Sequence, residues 1–319
     1  MDRPASPPRP ISTAQEVDGV LVVDKPEGLT SFAVVSILRR DLGVGKVGHC
    51  GTLDPFATGV LVLCLNQATR IAELLATQDK RYEFRVRFGA ETDTLDKTGR
   101  VVSTYAGPPV PRGRVEEALE GFAGGYLQEA PRFSAVHVRG KRLYHYARKG
   151  IFVEPPKREV KIHELALRDF SWPEALLEVF CSKGTYVRQL ASDIGRVLGC
   201  GAVVAQLRRL ASGPFGTEDC IRIEELKKGA RDGSWQRAVL PMNRVLVQLE
   251  SLVIREEEVL RALSCGHLDP SWEARMKTRV AQSAGPVRLL TGTGRLAALW
   301  WPAHGAAGRS RLQVFRFEV

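Results

Sequence analysis

The sequence predicts an α+β fold, in which a larger domain at residues 18–248 is followed by a small β-barrel at residues 249–319. In the larger domain, short apolar runs typical of strands alternate with helical patterns. The segment Tyr82–Phe88 alternates between aromatic or apolar and charged residues, as a strand with one solvated face does. The C-terminal part instead contains short strand-like runs, at Val287–Leu290, Leu296–Trp301 and Leu312–Phe317.

The first elements follow a flexible tail, residues 1–17, whose first ten residues include four prolines. Thr30 or Ser31 is placed to cap the first helix, because both side chains can accept a hydrogen bond from the first helical turn. In chain order we expect a strand at Gly19–Val23, a helix with the apolar face Val34, Val35 and Leu38, a glycine-rich loop at residues 43–59, a strand at Val60–Leu65 and a helix at residues 68–75.

The remaining elements include a helix that Thr185 is predicted to cap and Gly199 to end. Its apolar positions, from Leu190 to Leu198, share one face. In chain order we first expect the strand Tyr82–Phe88, a helix near Val115–Phe122, and a basic, loop-rich insertion at residues 130–161 with a short helix at Leu143–Lys149. A strand at Leu177–Ser182, the helix between Thr185 and Gly199, one more helix before Pro241 and a helix near Glu256–Leu263 follow.

Composition indicates an ordinary globular chain whose excess of basic residues is either plain solubility charge or the sign of an anionic partner. The 319 residues are 44% hydrophobic and 26% charged, and 46 Lys and Arg face 36 Asp and Glu, a net charge of +10. This excess favours nucleic acid over a membrane surface, and no apolar run has the ~18 residues of a membrane helix. The N-terminus has no pattern of a secretory signal. Six scattered cysteines predict reduced thiols in a cytosolic protein, not a disulfide framework or a zinc site.

The loop Gly48–Pro55 is the first candidate for chemistry. It displays one imidazole, His49, and one carboxylate, Asp54, in a glycine-rich segment whose backbone can approach a ligand closely. Asp54 before Pro55 is either a turn initiator or a carboxylate poised as nucleophile or base. His49 lacks a second ligand at metal spacing, so no metal role is assigned to it. The overlapping Gly43–Gly48 fits the dinucleotide-binding pattern G-x-G-x-x-G, but it does not link a strand to a helix and is rejected.

A second candidate is Lys183–Arg188, at the start of a predicted helix. Arg188 is either a surface charge or the partner of a pocket carboxylate, which it would keep ionised. Tyr186 and Tyr82 are either core residues or aromatic surfaces for a planar substrate. The acidic stretch Thr92–Asp96 suits turn and cap chemistry better than a metal loop.

The insertion carries most of the excess charge. Residues 131–161 contain nine basic and two acidic residues, a net charge of +7, with Phe133, Tyr144 and Tyr146 interleaved. Basic residues among aromatics on a loop-rich insertion predict a nucleic-acid clamp.

Taken together, these stretches resemble the TruB family of tRNA pseudouridine synthases. The resemblance runs in family order from about residue 18 to residue 215, and the C-terminal part matches more loosely, like a small PUA-type RNA-binding domain. The matching segments are Asp18–Val20, Asp24–Ser31, Gly48–Gly59, Asp79–Tyr82, Thr92–Asp96, Ser134–Ala135, Gly140–Arg148, Cys181–Arg188 and Leu207–Leu210.

The resemblance implies a pseudouridine synthase fold, with a mixed, largely antiparallel central sheet flanked by helices and a PUA-like C-terminal barrel. It implies an isomerase that converts uridine 55 in the T-loop of tRNA to pseudouridine without metal or organic cofactor. Asp54 would be the catalytic carboxylate, acting on the base, the sugar or through the ribose. Tyr82 would stack on the uracil and move a proton, and Arg188 would keep Asp54 ionised.

The resemblance also assigns substrate-binding residues. His49 would fill the space that the uridine leaves when it is extruded from the stack, which costs a few kcal/mol. The others are Tyr186, a pocket wall; Lys25 and Pro26, the pocket floor; Leu207; and the T-arm contacts Arg139, Lys141, Arg142, Tyr144 and Arg148. Phe133 and His137 depart from the family, in which many members have Tyr and Lys at these positions. These departures concern the T-arm contacts.

Two other functions remain open at this stage. One is a guide-RNA-dependent pseudouridine synthase, which the long insertion disfavours, because such an arm lets a protein bind its RNA without a guide RNA or protein partner. The other is a tRNA-folding chaperone without chemistry, which the intact set Asp54, Tyr82 and Arg188 disfavours. We expect a cytoplasmic monomer, because no heptad or large apolar surface suggests self-association.

Overall fold

The computed structural model describes residues 17–255, 257–258, 266, 268, 270–280, 285–302 and 310–315. The strands are β1 (Gly19–Lys25), β2 (Val47–His49), β3 (Thr58–Leu65), β4 (Lys80–Phe88), β5 (Ala90–Thr92), β6 (Val101–Thr104), β7 (Gly124–Glu129), β8 (His137–Val138), β9 (Lys141–Arg142), β10 (Lys157–Ser171), β11 (Glu174–Cys181), β12 (Ala202–Ser212), β13 (Phe215–Gly216), β14 (Ile221–Arg222), β15 (Ser251–Val253), β16 (Val287–Leu290), β17 (Leu296–Trp301) and β18 (Arg311–Val314). The α-helices are α1 (Ser31–Asp41), α2 (Ala72–Ala76), α3 (Arg112–Glu120), α4 (Leu143–Arg148), α5 (Val187–Val197), α6 (Ile223–Gly229), α7 (Met242–Val245) and α8 (Pro270–Arg279).

A mixed, largely antiparallel central sheet organises the larger part of the chain, as predicted. Its strands lie in the order β14-β1-β3-β12-β4-β11-β10-β7, with β13 paired to β12 and β2 paired to β3. Within this sheet, which lies wholly in described residues, the β1–β14 and β12–β3 pairs are parallel and the other pairs are antiparallel. The parallel contact brings Gly59 opposite Arg209, and a Cβ on Gly59 would collide with the Arg209 backbone, which explains a glycine with φ +97° there.

Helix α5 packs on this sheet through the apolar face that its sequence predicts. Leu190 and Ile194 are completely buried in the same core cluster as Phe84 of β4, and each such side chain contributes about 1.5–3 kcal/mol relative to an exposed one. The predicted cap at Thr185 is wrong. The N-cap residue is Tyr186, whereas the Thr185 hydroxyl donates to the carbonyl of Ser182 at 2.9 Å and so stabilises the preceding turn.

Helix α1 resolves the alternative between its two predicted caps. The Thr30 hydroxyl accepts a hydrogen bond from the Ala33 N–H at 2.9 Å, which is N-cap geometry. Ser31 is buried instead, and its hydroxyl accepts from the Leu53 N–H at 2.9 Å. Helix α1 is therefore tied to the loop between β2 and β3.

The basic insertion lies between β7 and β10, which are antiparallel neighbours. It contains the β8–β9 hairpin, whose two-residue turn has positive φ at Arg139 (50°) and Gly140 (79°), as a type I′ turn requires. Helix α4 follows the hairpin and ends before Gly150. The last residues of the predicted insertion, 157–161, belong to strand β10.

The C-terminal part contains a four-stranded sheet in the order β15-β16-β17-β18. Among the residues described here the sheet has open edges, and the predicted closed barrel is not seen. Helix α8, which the sequence pattern did not predict because it has few apolar positions, packs Trp272 against Trp300 with ring centroids 5.9 Å apart. The predicted helix near Glu256–Leu263 and the end of the strand predicted to reach Phe317 fall largely outside the described residues.

This C-terminal sheet packs directly on the larger domain. Leu299 and Phe315 are buried in one cluster with Ile71 and Leu75, which lie in the segment after β3. The Arg70 guanidinium donates a hydrogen bond to the Val314 carbonyl, and the Gln313 amide donates to the Arg70 carbonyl at 3.0 Å.

Candidate active site

Asp54 and Arg188 form the centre of the site. Asp54 lies in the loop between β2 and β3, and Arg188 in the first turn of α5. The Arg188 Nε donates to Asp54 Oδ2 at 2.8 Å and its Nη2 donates to Oδ1 at 3.1 Å, so the pair is bidentate. The Arg188 side chain is 5% exposed, whereas that of Asp54 is 33% exposed. The carboxylate is therefore oriented by the buried Arg188 and remains accessible to a ligand.

The other donors of Arg188 are also occupied. Its Nη1 donates to the Thr94 carbonyl at 2.8 Å and its Nη2 to the Phe133 carbonyl at 3.1 Å. Asp96 Oδ2 lies 3.4 Å from Nη1, and the Asp96 side chain is nearly as buried as that of Arg188. Arg188 thus contacts two carboxylates and two carbonyls.

Asp96 was predicted to serve only turn chemistry, and it does more. Its Oδ1 accepts from the Thr94 hydroxyl at 2.8 Å and from the Thr98 N–H at 2.9 Å, as a turn carboxylate does. Its Oδ2 faces Arg188 across the core. In the sequence, Asp96 is an acidic residue in a stretch of threonines. This pattern does not indicate which distant cation the Asp96 carboxylate contacts.

The loop that carries Asp54 is held from beneath by β1 and the segment that follows it. Lys25 is completely buried, and its Nζ donates to the carbonyls of Pro26 at 2.9 Å, Leu29 at 2.7 Å and Pro55 at 3.3 Å. Burial lowers the pKa of Lys25 to about 8, against the nearby negative charge of Asp54, which raises it. Lys25 therefore links the segment after β1 to Pro55, the residue after Asp54. The place of Lys25 and Pro26 at the pocket floor stays a prediction.

Tyr82 and Leu207 lie on the neighbouring strands β4 and β12 and are both buried in the core cluster of the larger domain. Burial raises the pKa of Tyr82, an effect that the Arg209 guanidinium opposes and the charge of Asp54 reinforces. The Tyr82 hydroxyl thus keeps its proton at neutral pH and lies within the electrostatic reach of Asp54.

Arg209 is a buried cation that the sequence analysis did not assign to the site. It is 1% exposed and pairs directly with Tyr82 across the β12–β4 ladder. Its Nε donates to the Val60 carbonyl at 2.6 Å and its Nη2 to the Gly51 carbonyl at 3.3 Å, so it also fixes the loop before Asp54.

His49 ends strand β2 at the start of the same loop. Burial lowers its pKa, and the charges of Arg209 and Arg142 act in the same direction. His49 is therefore neutral at neutral pH. Its Nδ1 is buried without a hydrogen-bond partner among the described residues.

The predicted RNA contacts lie on the exposed part of the insertion. Arg139, Lys141 and Arg142 are exposed on the β8–β9 hairpin. Tyr144 and Arg148 lie on α4, with the Arg148 guanidinium 5.5 Å from the centroid of the Tyr144 ring. None of these five side chains is seen to contact Asp54 in the described structure. Their four basic members are exposed and form a basic surface on the insertion.

Tyr186 stands at the start of α5 as the N-cap residue. The Arg158 guanidinium lies 4.7 Å from the centroid of its ring.

The described residues include no group of three His, Cys, Asp or Glu side chains arranged to hold a metal ion. No described helix is long and apolar enough to cross a membrane.

The chain is similar to known proteins over most of its length. Residues 39–187 match the TruB family pseudouridylate synthase (N terminal domain), and residues 188–253 match the tRNA pseudouridylate synthase B C-terminal domain. The chain is 53% identical over 302 residues to tRNA pseudouridine synthase B of Syntrophobacter fumaroxidans (strain DSM 10017 / MPOB). This alignment covers 95% of this chain and 99% of that protein. It is 40% identical over 308 residues to tRNA pseudouridine synthase B of Geobacillus thermodenitrificans (strain NG80-2), with 94% and 100% covered. Among solved structures, a crystal structure of a Cbf5-Nop10-Gar1 complex contains a chain that matches with a TM-score of 0.67 at 26% identity, covering 97% of this chain and 87% of that one.

Proposed function

The chain belongs to the TruB family of tRNA pseudouridine synthases, and from this premise we propose that it isomerises uridine 55 in the T-loop of tRNA, with Asp54 as the catalytic carboxylate. The observation that carries the proposal is the bidentate Arg188–Asp54 pair, in which the Asp54 side chain stays one-third exposed. A carboxylate held in this way is placed to act on a base that has been turned out of its stack.

The proposed reaction is a rearrangement within one nucleotide. The N1–C1′ bond of the uridine breaks, the uracil turns within the pocket, a C5–C1′ bond forms, and the C5 proton is lost while N1 gains one. Asp54 acts on the base, on the sugar or through the ribose, and one carboxylate suffices for each route. No redox cofactor enters this balance, because the product has the same atoms as the substrate.

The surrounding residues receive roles from their positions. Tyr82 stacks on the uracil and moves a proton, Leu207 and Tyr186 form walls of the pocket, and Lys25 with Pro26 supports its floor. His49 occupies the gap that the extruded uridine leaves in the loop. Because burial lowers its pKa, it does this as a neutral ring.

The insertion binds the T-arm without a guide RNA or a protein partner. Arg139, Lys141, Arg142, Tyr144 and Arg148 supply the phosphate and base contacts. The guide-RNA-dependent alternative has in its favour a likeness of fold to a chain of a Cbf5-Nop10-Gar1 complex at 26% identity. The relatives at 40% and 53% identity are instead named tRNA pseudouridine synthase B. We further propose that residues 18–248 form the catalytic unit of a cytoplasmic monomer and that residues 249–319 form a PUA-like unit that adds affinity for RNA.

The test uses the purified protein alone with an unmodified T-arm stem-loop. The wild-type protein is expected to convert the uridine at position 55, and Asp54→Asn to bind the same RNA without converting it. A stem-loop with cytidine at that position serves as the control for site specificity. A wild-type protein that is inactive until a guide RNA or another protein is added would overturn the proposal. An Asp54→Asn variant that still converts the uridine would remove Asp54 from its role.

A further inference from the structure

Gln128 is a buried polar residue that the proposed mechanism does not use. It lies one residue before the end of β7, where the insertion begins, and it is 1% exposed. Burying an amide is costly unless its donor and acceptor groups both find partners. We propose that Gln128 is a positioning residue for the reaction, which fixes the start of helix α5 at Tyr186 and thereby directs Arg188 at Asp54. This inference rests on the proposed function.

The first argument is the two-point contact between Gln128 and the backbone of Tyr186. The Gln128 Oε1 accepts from the Tyr186 N–H at 2.8 Å, and its Nε2 donates to the Tyr186 carbonyl at 3.0 Å. The second hydrogen of Nε2 is donated to the Tyr126 hydroxyl at 2.5 Å. One amide side chain thus binds both polar groups of a single peptide residue, as a neighbouring strand would.

The second argument is the missing cap of α5. Tyr186 is the N-cap residue, and its own side chain makes no capping hydrogen bond. The first N–H groups of a helix lack partners within the helix, and a side chain normally supplies one. Here Gln128, 58 residues away in the chain, binds the N-cap residue itself. The beginning of α5 is therefore defined by the sheet instead of by a local cap.

The third argument is the distance from this clamp to Arg188, two residues further along. A helix rises about 1.5 Å per residue, so Arg188 lies about 3 Å along the helix axis from Tyr186. Because the two residues belong to the same helical turn, a displacement of Tyr186 also displaces the Arg188 side chain. Its contacts with Asp54, at 2.8 and 3.1 Å, are short enough to be lost by such a shift.

The fourth argument is that the residue opposite Gln128 contacts the same tyrosine. Arg158 pairs with Gln128 across the β7–β10 ladder, and its guanidinium lies over the Tyr186 ring. Gln128 fixes the backbone of Tyr186 and Arg158 covers its ring, so the two strand residues at the base of the insertion together hold the residue that begins the Arg188 helix.

The test compares two buried glutamines by single-turnover kinetics on the T-arm stem-loop with saturating enzyme. Gln128→Met keeps the length of the side chain and removes both contacts with Tyr186. Gln189→Met is the matched control, because Gln189 is also buried, follows Arg188 on α5, and donates to Asp193 at 2.9 Å instead of to Tyr186. We expect Gln128→Met to slow the reaction 10- to 100-fold with the Kd for RNA within threefold of wild type, and Gln189→Met to stay within threefold in both.

Gln128→Glu provides a second readout that a merely structural role would not affect. A protonated glutamic acid accepts from the Tyr186 N–H and donates to its carbonyl, whereas the ionised form only accepts. The rate of this variant relative to wild type should therefore increase as the pH is lowered from 8 to 6, because the side chain becomes protonated. This variant also decides the question if Gln128→Met does not fold.

Three results would overturn the inference. They are a folded Gln128→Met variant with the wild-type rate, equal losses in the two methionine variants, and a Gln128→Glu variant whose relative rate does not change with pH. A wild-type protein that makes no pseudouridine would instead refute the proposed function, so the two failures are distinguishable.

Discussion

Arg188 binds both carboxylate oxygens of Asp54 across 134 residues of sequence, with N–O distances of 2.8 and 3.1 Å. The remaining donors of the same guanidinium bind the carbonyls of Thr94 and Phe133. A planar, bidentate contact of this kind fixes the direction as well as the position of the carboxylate. The reactive group is therefore held by helix α5, although it lies on a loop.

Arg188→Lys should show how much the reaction depends on that geometry. Lysine keeps the charge but cannot bind two oxygens in a plane. We expect a decrease of about 100-fold or more in the single-turnover rate, a loss of at least 2.7 kcal/mol of transition-state stabilisation, with little change in RNA affinity. Arg196→Lys, an exposed position on the same helix, is the control and should retain the wild-type rate. Equal rates for the two variants would show that the bidentate contact is not needed.

Asp96→Asn tests the carboxylate behind Arg188. The amide can still accept from Thr94 and Thr98, but it removes the negative charge 3.4 Å from the guanidinium. We expect a rate about 10-fold lower and a less stable protein, because a buried arginine loses one of its two counter-charges. Asp93→Asn is the control, since Asp93 accepts from the Arg100 N–H in the same turn. Thermal unfolding and single-turnover kinetics separate the two effects.

The sequence predicted those parts of the fold and the site that depend on local pattern. The alternation in Tyr82–Phe88 and the apolar face from Leu190 to Leu198 indicated β4 and α5 because each pattern spans a whole element. The pairing of Asp54 with Arg188 is predicted by their opposite charges together with the resemblance of their segments to the TruB family. The residues alone leave two alternatives for Arg188, a surface charge or the partner of a carboxylate, and the family resemblance implies the second.

What the sequence did not predict depends on contacts between distant residues. Gln128 of β7 binds the N–H and the carbonyl of Tyr186, the N-cap residue of α5, whereas the local pattern predicts Thr185 as the cap. Arg209 is buried among carbonyls from β3 and the Asp54 loop, an environment that no pattern around residue 209 reveals. Helix α8 has too few apolar positions for its periodicity to be recognised.

Removing charge from the hairpin of the insertion should weaken RNA binding and its dependence on salt. The triple variant Arg139→Gln, Lys141→Gln, Arg142→Gln loses three exposed cations. Each lost phosphate contact lowers the slope of log K against log salt by about 1, so we expect a decrease of about 2–3 in that slope. The control replaces Lys227, Lys228 and Arg231, which are exposed near α6. If both triple variants bind alike, the charge of the hairpin has no special role.

The pKa of Lys25 predicts how its contribution to stability varies with pH. Burial lowers this pKa from 10.5 to about 8 in the folded protein. Between about pH 8 and pH 10.5 the unfolded chain therefore holds more protons, and folding stability rises with pH. In urea unfolding, the stability of wild type relative to Lys25→Met should increase by about 2 kcal/mol between pH 7.5 and pH 9.5. A difference between the two proteins that is the same at both pH values would mean that the pKa of Lys25 is not lowered.

The Tyr82 hydroxyl is predicted to matter for proton movement rather than for binding. Burial raises the pKa of Tyr82, so its hydroxyl stays protonated through the neutral range and can donate a proton to a base bound beside it. Tyr82→Phe keeps the aromatic face for stacking and removes this proton, so we expect the rate to fall about 100-fold while the Kd for the stem-loop changes less than threefold. Tyr82→Leu should weaken both, because it also loses the ring. Tyr105→Phe is the control, since the Tyr105 hydroxyl donates to the Pro108 carbonyl at 3.2 Å in a loop that has no contact with Asp54 in the described structure. If Tyr82→Phe converts the uridine at the wild-type rate, Tyr82 acts through its ring alone, and the proton must move through another group or through water.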